Sequence, residues 1–174
     1  MTNDTVNPVS IEIRAARPDD FDQIFPLLRQ LWPDHNDSKE ELKPVFDRAL
    51  TSPVDFSFCA VSKSQNNNQN NNQNNNQNNN QNNNRNQIVG FIAGIVANNY
   101  YHAGRICYVS TFVVDENVRG QKIGTAVLNH LKKYAAEKDC KSIELDANFH
   151  REQTHAFYEH YGFSKRAFTF FLDL

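Results

Sequence analysis

The stretch from Ile106 to Lys138 constrains this chain more than any other, because it reads as a strand, a tight turn and a long amphipathic helix in immediate succession. Ile106 to Val114 (I-C-Y-V-S-T-F-V-V) is dense in β-branched and aromatic residues, and the polar run Asp115 to Val118 ends it as a turn. Beyond the turn, Ile123, Val127, Leu131 and Tyr134 recur at spacings of three and four, and Ala126, Leu128 and Ala135 widen the stripe into a core-facing side. Between strand and helix lies Arg119-Gly120-Gln121-Lys122-Ile123-Gly124. The first amides of a helix have no intrahelical partners and stand at the positive end of its dipole, so such a turn is a candidate phosphate site. A glycine-containing turn before a helix also occurs with no ligand at all. No Lys-Ser or Lys-Thr follows Gly124, and the run matches neither G-x-x-x-x-G-K-[ST] nor G-x-G-x-x-G. Nucleoside triphosphatases and dinucleotide dehydrogenases are therefore disfavoured.

The rest of the chain supplies a sheet and its flanking helices. Ile11 to Ala15 alternates as a half-buried strand. Pro18-Asp19-Asp20 starts a helix whose apolar face is Phe21, Ile24, Phe25, Leu28 and Leu31, and Pro26 predicts a kink or a break in it. Ser38 and Glu41 form a capping box for a second helix with Leu42, Val45, Phe46 and Leu50 as its buried side. Val54 to Ser62, Ile88 to Val96 and Ser142 to Ala147 read as strands, Thr154 to Tyr161 as a short helix ended by Gly162, and the alternating aromatic run Phe163 to Leu172 as a final strand. The order β-α-α-β-β-β-α-β-α-β predicts an α/β fold of the mixed α+β kind: a mostly antiparallel central sheet flanked by helices, in one domain over 11–174. Residues 1–10 are expected to be flexible.

Between the second and third strands Q-N-N-N occurs five times, from Gln65 to Asn84. Such a tract has almost no apolar surface with which to offset the entropy of ordering, so 65–87 is expected to be a disordered insertion in a hairpin. Self-association of the polar tract is the functional alternative. A net charge of -2 gives no basic field for nucleic acid. Three cysteines without a C-x-x-C pair suit reduced thiols, and the absence of a long apolar run or hydrophobic leader suits a soluble protein of the cytoplasm or nucleus. His150, His155 and His160, five residues apart, do not share a helix face, so no metal site is expected.

Two motifs together carry a family resemblance. The turn is similar to the R/Q-x-x-G-x-G/A signature of the GNAT N-acetyltransferases, and Phe157-Tyr158-Glu159-His160-Tyr161-Gly162-Phe163 resembles the F/L-Y-x-x-x-G-F segment that this family carries further along the chain. The resemblance implies acetyl-CoA as co-substrate, its pyrophosphate on Arg119, Gly120, Gln121, Lys122, Ile123, Gly124 and Thr125, and its pantetheine arm paired with the backbone of Phe112, Val113 and Val114. It assigns the Val113 N–H to the thioester oxygen and Tyr158 to protonation of the departing thiolate. Asp146 matches the place where some members keep an acidic base; a solvent-facing strand carboxylate is an equally good reading, and Glu144 is the fallback. Arg151 stands seven residues before the tyrosine, where the family often has a cofactor-binding asparagine, and Lys122 replaces the usual first glycine. If that position needs φ > 0, a lysine there costs about 1 kcal/mol or more.

The implied reaction is transfer of an acetyl group to a primary amine by direct attack in a ternary complex. The run from His150 to Tyr158 is similar to that of a bacterial subgroup acting on small amines. Trp32, Asp34, His35 and Asp37, between the first two helices, are candidate acceptor contacts, though surface-loop roles suit them too. A small amine is the expected partner, and a homodimer is compatible with the sequence. A protein N-terminal or lysine acetyltransferase and a non-catalytic acyl-CoA-binding module are the alternatives.

Overall fold

The computed structural model describes residues 10–63 and 86–172. The expected flexible N-terminus and Gln/Asn insertion lie outside the described residues, apart from their edges. Five strands, β1 (Ile11–Ala15), β2 (Asp55–Ser62), β3 (Gln87–Asn99), β4 (Gly104–Val114) and β5 (Cys140–Leu145), stand side by side in sequence order. All neighbours are antiparallel except β4 and β5, which run parallel because helix α3 (Ile123–Glu137) returns the chain between them. This is the mixed, mostly antiparallel sheet that the element order predicts. Ser62 faces Gln87 in the β2–β3 ladder, so the strands flanking the repeat close on each other.

Helices cover both faces. Ile123, Val127, Leu128, Leu131 and Ala135 of α3 pack with Phe56, Phe58, Ile92, Cys107 and Val109, and Tyr158 of α4 (Glu152–Tyr161) joins this cluster. On the other face α1 (Phe21–Leu31) and α2 (Lys39–Thr51) bury Phe21, Ile24, Leu27 and Phe46 against Cys59, Val61, Phe91 and Val113. The Ser38–Glu41 capping box forms as expected, with Glu41 N–H donating to Ser38 Oγ at 3.2 Å and Ser38 N–H to Glu41 Oε2 at 2.7 Å.

Four expectations need correction, the first in part. Helix α1 is not broken in two at Pro26 but runs through it as one element. The carbonyl that the proline leaves unbonded belongs to exposed Asp22, where water can serve it. Val45 is 53 % exposed, since a second proline-containing helix buries mainly Phe46 and turns its neighbour outward. β5 begins at Cys140 and ends at Leu145, so Asp146 follows the strand. The aromatic segment after Gly162 forms no strand through Leu172: Phe168, Phe170, Phe171 and Leu172 are 72 %, 95 %, 85 % and 82 % exposed. Alternation signals a face to bury, but not whether an edge is within reach. Its first residue is tied back to α4, the Phe163 N–H donating to Tyr158 O at 2.9 Å, and further on Arg166 Nη2 donates to the Tyr101 hydroxyl at 3.0 Å and the Phe168 ring lies 5.9 Å from that of Phe149.

Candidate active site

The site begins where β4 and β5 part. Their parallel register ends at Val109 opposite Leu145, while β4 continues to Val114 paired on its other side with β3. Just there the β3–β4 ladder shifts between Ala93 and Gly94, leaving Ser110 as an extra residue on β4. The cleft so opened measures about 960 Å³ and runs between β4, the start of α3, the end of β5 and α4.

Strand chemistry decides which main-chain groups face it. The Asp115 N–H donates to Val89 O at 2.9 Å, which makes Asp115 and Val89 a bond-exchanging pair. Two-residue alternation makes Val113 and Phe91 the next such pair, and puts the N–H and C=O of Phe112 and Val114 on the cleft side. Val113 therefore turns its N–H to β3, contrary to the role that the resemblance gives it. The Val114 carbonyl accepts from Arg119 Nε at 3.2 Å, in keeping with this parity.

At one end of the cleft, Gly120 (φ 79) and Lys122 (φ 62) turn the chain into α3, both in left-handed geometry. The first helical bond runs from Ala126 N–H to Lys122 O at 3.0 Å, which leaves the Ile123, Gly124 and Thr125 amides without intrahelical partners. Gly124 is small for a reason of packing: a Cβ there would stand 3.1 Å from Phe157 Cζ. The loop is anchored from α1, since Gln30 Oε1 accepts from Glu116 N–H at 3.1 Å while buried Asp115 caps the turn through Asn117.

Of the residues singled out from sequence, Phe112, Val113, Val114, Arg119, Gly120, Lys122, Ile123, Gly124, Thr125, Asp146, Arg151 and Tyr158 all line the cleft. Gln121 does not, and its buried Oε1 has no hydrogen-bond partner among the described residues. Trp32 lines the cleft, whereas Asp34, His35 and Asp37 do not. The Trp32 loop is folded onto itself, Arg29 donating to the His35 carbonyl and the Trp32 and His35 rings lying 6.0 Å apart.

Tyr158 enters from α4, its ring packed 5.5 Å from both Phe157 and Phe163. Burial pushes its phenol up to about 12, with Arg151 pulling the other way. Arg151 itself donates to the Leu31 carbonyl and so joins the start of α4 to the end of α1. Asp146, exposed beyond β5, accepts a hydrogen bond from the Tyr108 hydroxyl at 2.6 Å. Glu144 shares a hydrogen bond of 2.7 Å with His102 Nε2 and accepts from Ser142 Oγ at 3.1 Å. Sequence reading passed over Tyr108, Ser110 and Gln30, because their partners lie in other elements and no local motif marks them.

Comparison with known proteins places this cleft in context. The sequence has no significant match among curated proteins. Solved structures share the fold: an aminoglycoside N-acetyltransferase AAC(6')-Iy in complex with CoA, 13% identical over 98% of each chain with a TM-score of 0.74. A Trypanosoma brucei acetyltransferase is 22% identical over 95% of this chain and 100% of its own, with a TM-score of 0.68. A ribosomal-protein-alanine N-acetyltransferase of Brucella melitensis is 15% identical over the same shares, 95% and 100%, with a TM-score of 0.70. Residues 40–163 match the family model described as the acetyltransferase (GNAT) family. The match spans most of the described sheet and the whole of α3 and α4, and the chain belongs to the acetyltransferase (GNAT) family.

Proposed function

We propose that this protein moves the acetyl group of acetyl-CoA onto a primary amine of a small molecule, by direct attack in a ternary complex. The observation that carries the reading is the parting of β4 from β5, which sets free α3 amides, Tyr158 and Asp146 around one cleft. In this reading the turn from Arg119 to Thr125 holds the diphosphate, and the cleft-facing edge of β4, Phe112 and Val114, pairs with the pantetheine arm.

A primary amine with a pKa of about 10 is mostly protonated at neutral pH and must shed a proton before it attacks. Asp146 takes that proton, directly or through a water. The nitrogen then adds to the thioester carbon, and charge gathers on the carbonyl oxygen. An N–H on the β4 edge, at the Ser110 bulge or at Phe112, is placed to receive it without rearrangement. When the C–S bond breaks, Tyr158 gives its proton to sulfur and the nitrogen gives its second proton to the resulting phenolate, directly or through water, leaving an amide and free CoA. A phenol pushed up to about 12 is fully protonated at neutral pH, as an acid must be.

Two observations support a small acceptor. Several fold relatives are aminoglycoside acetyltransferases, one of them solved with a bisubstrate analogue joining CoA to acetylneamine. The Arg151–Leu31 link draws α4 to α1 on the cleft wall, which narrows the approach that a peptide would need. A protein N-terminus is the second reading, favoured by the fold shared with the ribosomal-protein-alanine enzyme. Acetyl-CoA consumption measured against polyamines, aminophosphonates, amino sugars and peptides tests both. Turnover of peptides alone would overturn the small-molecule reading, and no turnover with any of them would overturn acetyl transfer itself.

A further inference from the structure

Tyr108 belongs to neither sequence motif and stands outside the cleft lining, yet its hydroxyl reaches Asp146 Oδ2 at 2.6 Å. Its ladder neighbours Cys107 and Val109 are buried against α3, so pleat alternation sends Tyr108 to the opposite face of the sheet. Across the parallel ladder it pairs with Glu144. Asp146 lies two residues on, past the last residue of β5, where no ladder bond steadies it. A phenol rooted where β4 is paired on both sides thus holds a carboxylate on the unpaired chain beyond β5.

The two acidic residues of this face are used differently. Glu144 is already engaged by His102 and Ser142. Asp146 has one oxygen bound by Tyr108 and makes no other hydrogen bond among the described residues. The bond to Asp146 is the leading cause that pushes the Tyr108 phenol up to about 12, so this group remains a donor throughout the neutral range.

We propose that Tyr108 is a positioning residue: by holding Oδ2 it fixes the Asp146 side chain with Oδ1 turned into the cleft, ready for the proton of the acceptor amine. The inference rests on the reading of Asp146 as proton acceptor and adds what makes an exposed carboxylate serve that role. A free aspartate at a strand end samples several rotamers, and only some aim an oxygen at the reacting amine.

The test uses the full chain with acetyl-CoA and the fastest-acetylated member of a fixed amine panel: 1,4-diaminobutane, 2-aminoethylphosphonate, glucosamine and sisomicin. Tyr108→Phe, Asp146→Asn and the double variant are compared. Tyr108→Phe removes one hydroxyl and keeps the ring, and it should lower kcat roughly tenfold, with the KM for acetyl-CoA within about twofold. Asp146→Asn should cost more, and the double variant should be no slower than Asp146→Asn alone, because a residue that works through another adds nothing once that one is gone. Losses that multiply in the double variant would mean that Tyr108 acts elsewhere and overturn the inference. A normal kcat in Tyr108→Phe beside a slow Asp146→Asn would overturn it while leaving the base intact. A normal kcat in Asp146→Asn would remove both readings together.

Discussion

Gly94 packs so closely on the Tyr108 carbonyl that a Cβ built on it would stand 2.0 Å from that oxygen. The same Cβ would meet Phe56 Cζ at 2.7 Å and Val109 Cα at 2.9 Å. Two of these atoms are β4 backbone beside the Ser110 bulge, so no rotamer change relieves them. Gly94→Ala should therefore cost about 3 kcal/mol in a urea titration, at the upper end for overpacking. Gly90→Ala, whose nearest contacts would be 3.3 Å, is the control and should lose clearly less. Equal losses at the two positions would show that β4 yields easily at the bulge.

Lys122 stores strain in the turn that opens α3, with φ 62 and ψ 12 and no side-chain cap. Lys122→Ala removes the ammonium and keeps the strain, whereas Lys122→Gly removes both. The glycine variant should be more stable than the alanine variant by about 1 kcal/mol, measured by thermal or denaturant unfolding. If the ammonium also pairs with phosphate, both variants should weaken acetyl-CoA binding alike. A glycine variant no more stable than the alanine one would mean that the turn relaxes without it.

Local chemistry made much of this fold legible. The Ser38–Glu41 box, the α3 stripe and the Gly162 stop are each signalled by residues within one element, and each forms. What failed depended on partners outside the element. Phe163 to Leu172 has the pattern of a strand but pairs with no strand among the described residues, although β5 is paired on one side only, and the direction of the Val113 N–H depends on the ladder register. Tyr108 could not be singled out from sequence, because its meaning comes from Asp146, thirty-eight positions away.

The buried thiols set the alkaline limit of stability. Burial pushes Cys59 and Cys107 from 9.0 up to about 12, with Asp20 adding to the first and Cys140 to the second. Below pH 9.0 folded and unfolded chains both keep these protons, so the stabilisation is complete there. Above it the unfolded chain releases them first and the folded chain binds more protons, so stability falls as pH rises toward about 12. The Tyr158 phenol, raised from 10.0 to about 12, joins the decline one pH unit later. Melting temperature should drop through this window, and Cys107→Ala should flatten the early part of the slope even though its cavity lowers the starting value. An unchanged slope in that variant would mean that the Cys107 thiol ionises as readily in the folded chain as in the unfolded one.

Replacing Tyr158 with Phe separates its chemistry from its packing. The ring is 9 % exposed and lies against Phe157, Phe163 and, at 6.5 Å between centroids, Phe112, so a phenylalanine keeps nearly all of its contacts. The hydroxyl makes no hydrogen bond among the described residues, so its loss strands no partner inside the protein. Stability should therefore stay within about 0.5 kcal/mol of the parent. Turnover should fall by roughly a hundredfold, the scale of one positioned acid, while the acetyl-CoA dissociation constant from calorimetry changes little. Proton donation to sulfur matters most for a poor leaving group, so an acyl donor whose thiol has a lower pKa than CoA should narrow the gap between variant and parent. If the variant turns over normally, thiolate leaves without help from this phenol and water in the cleft is the proton source; if acetyl-CoA binding collapses as well, Tyr158 is a binding residue first.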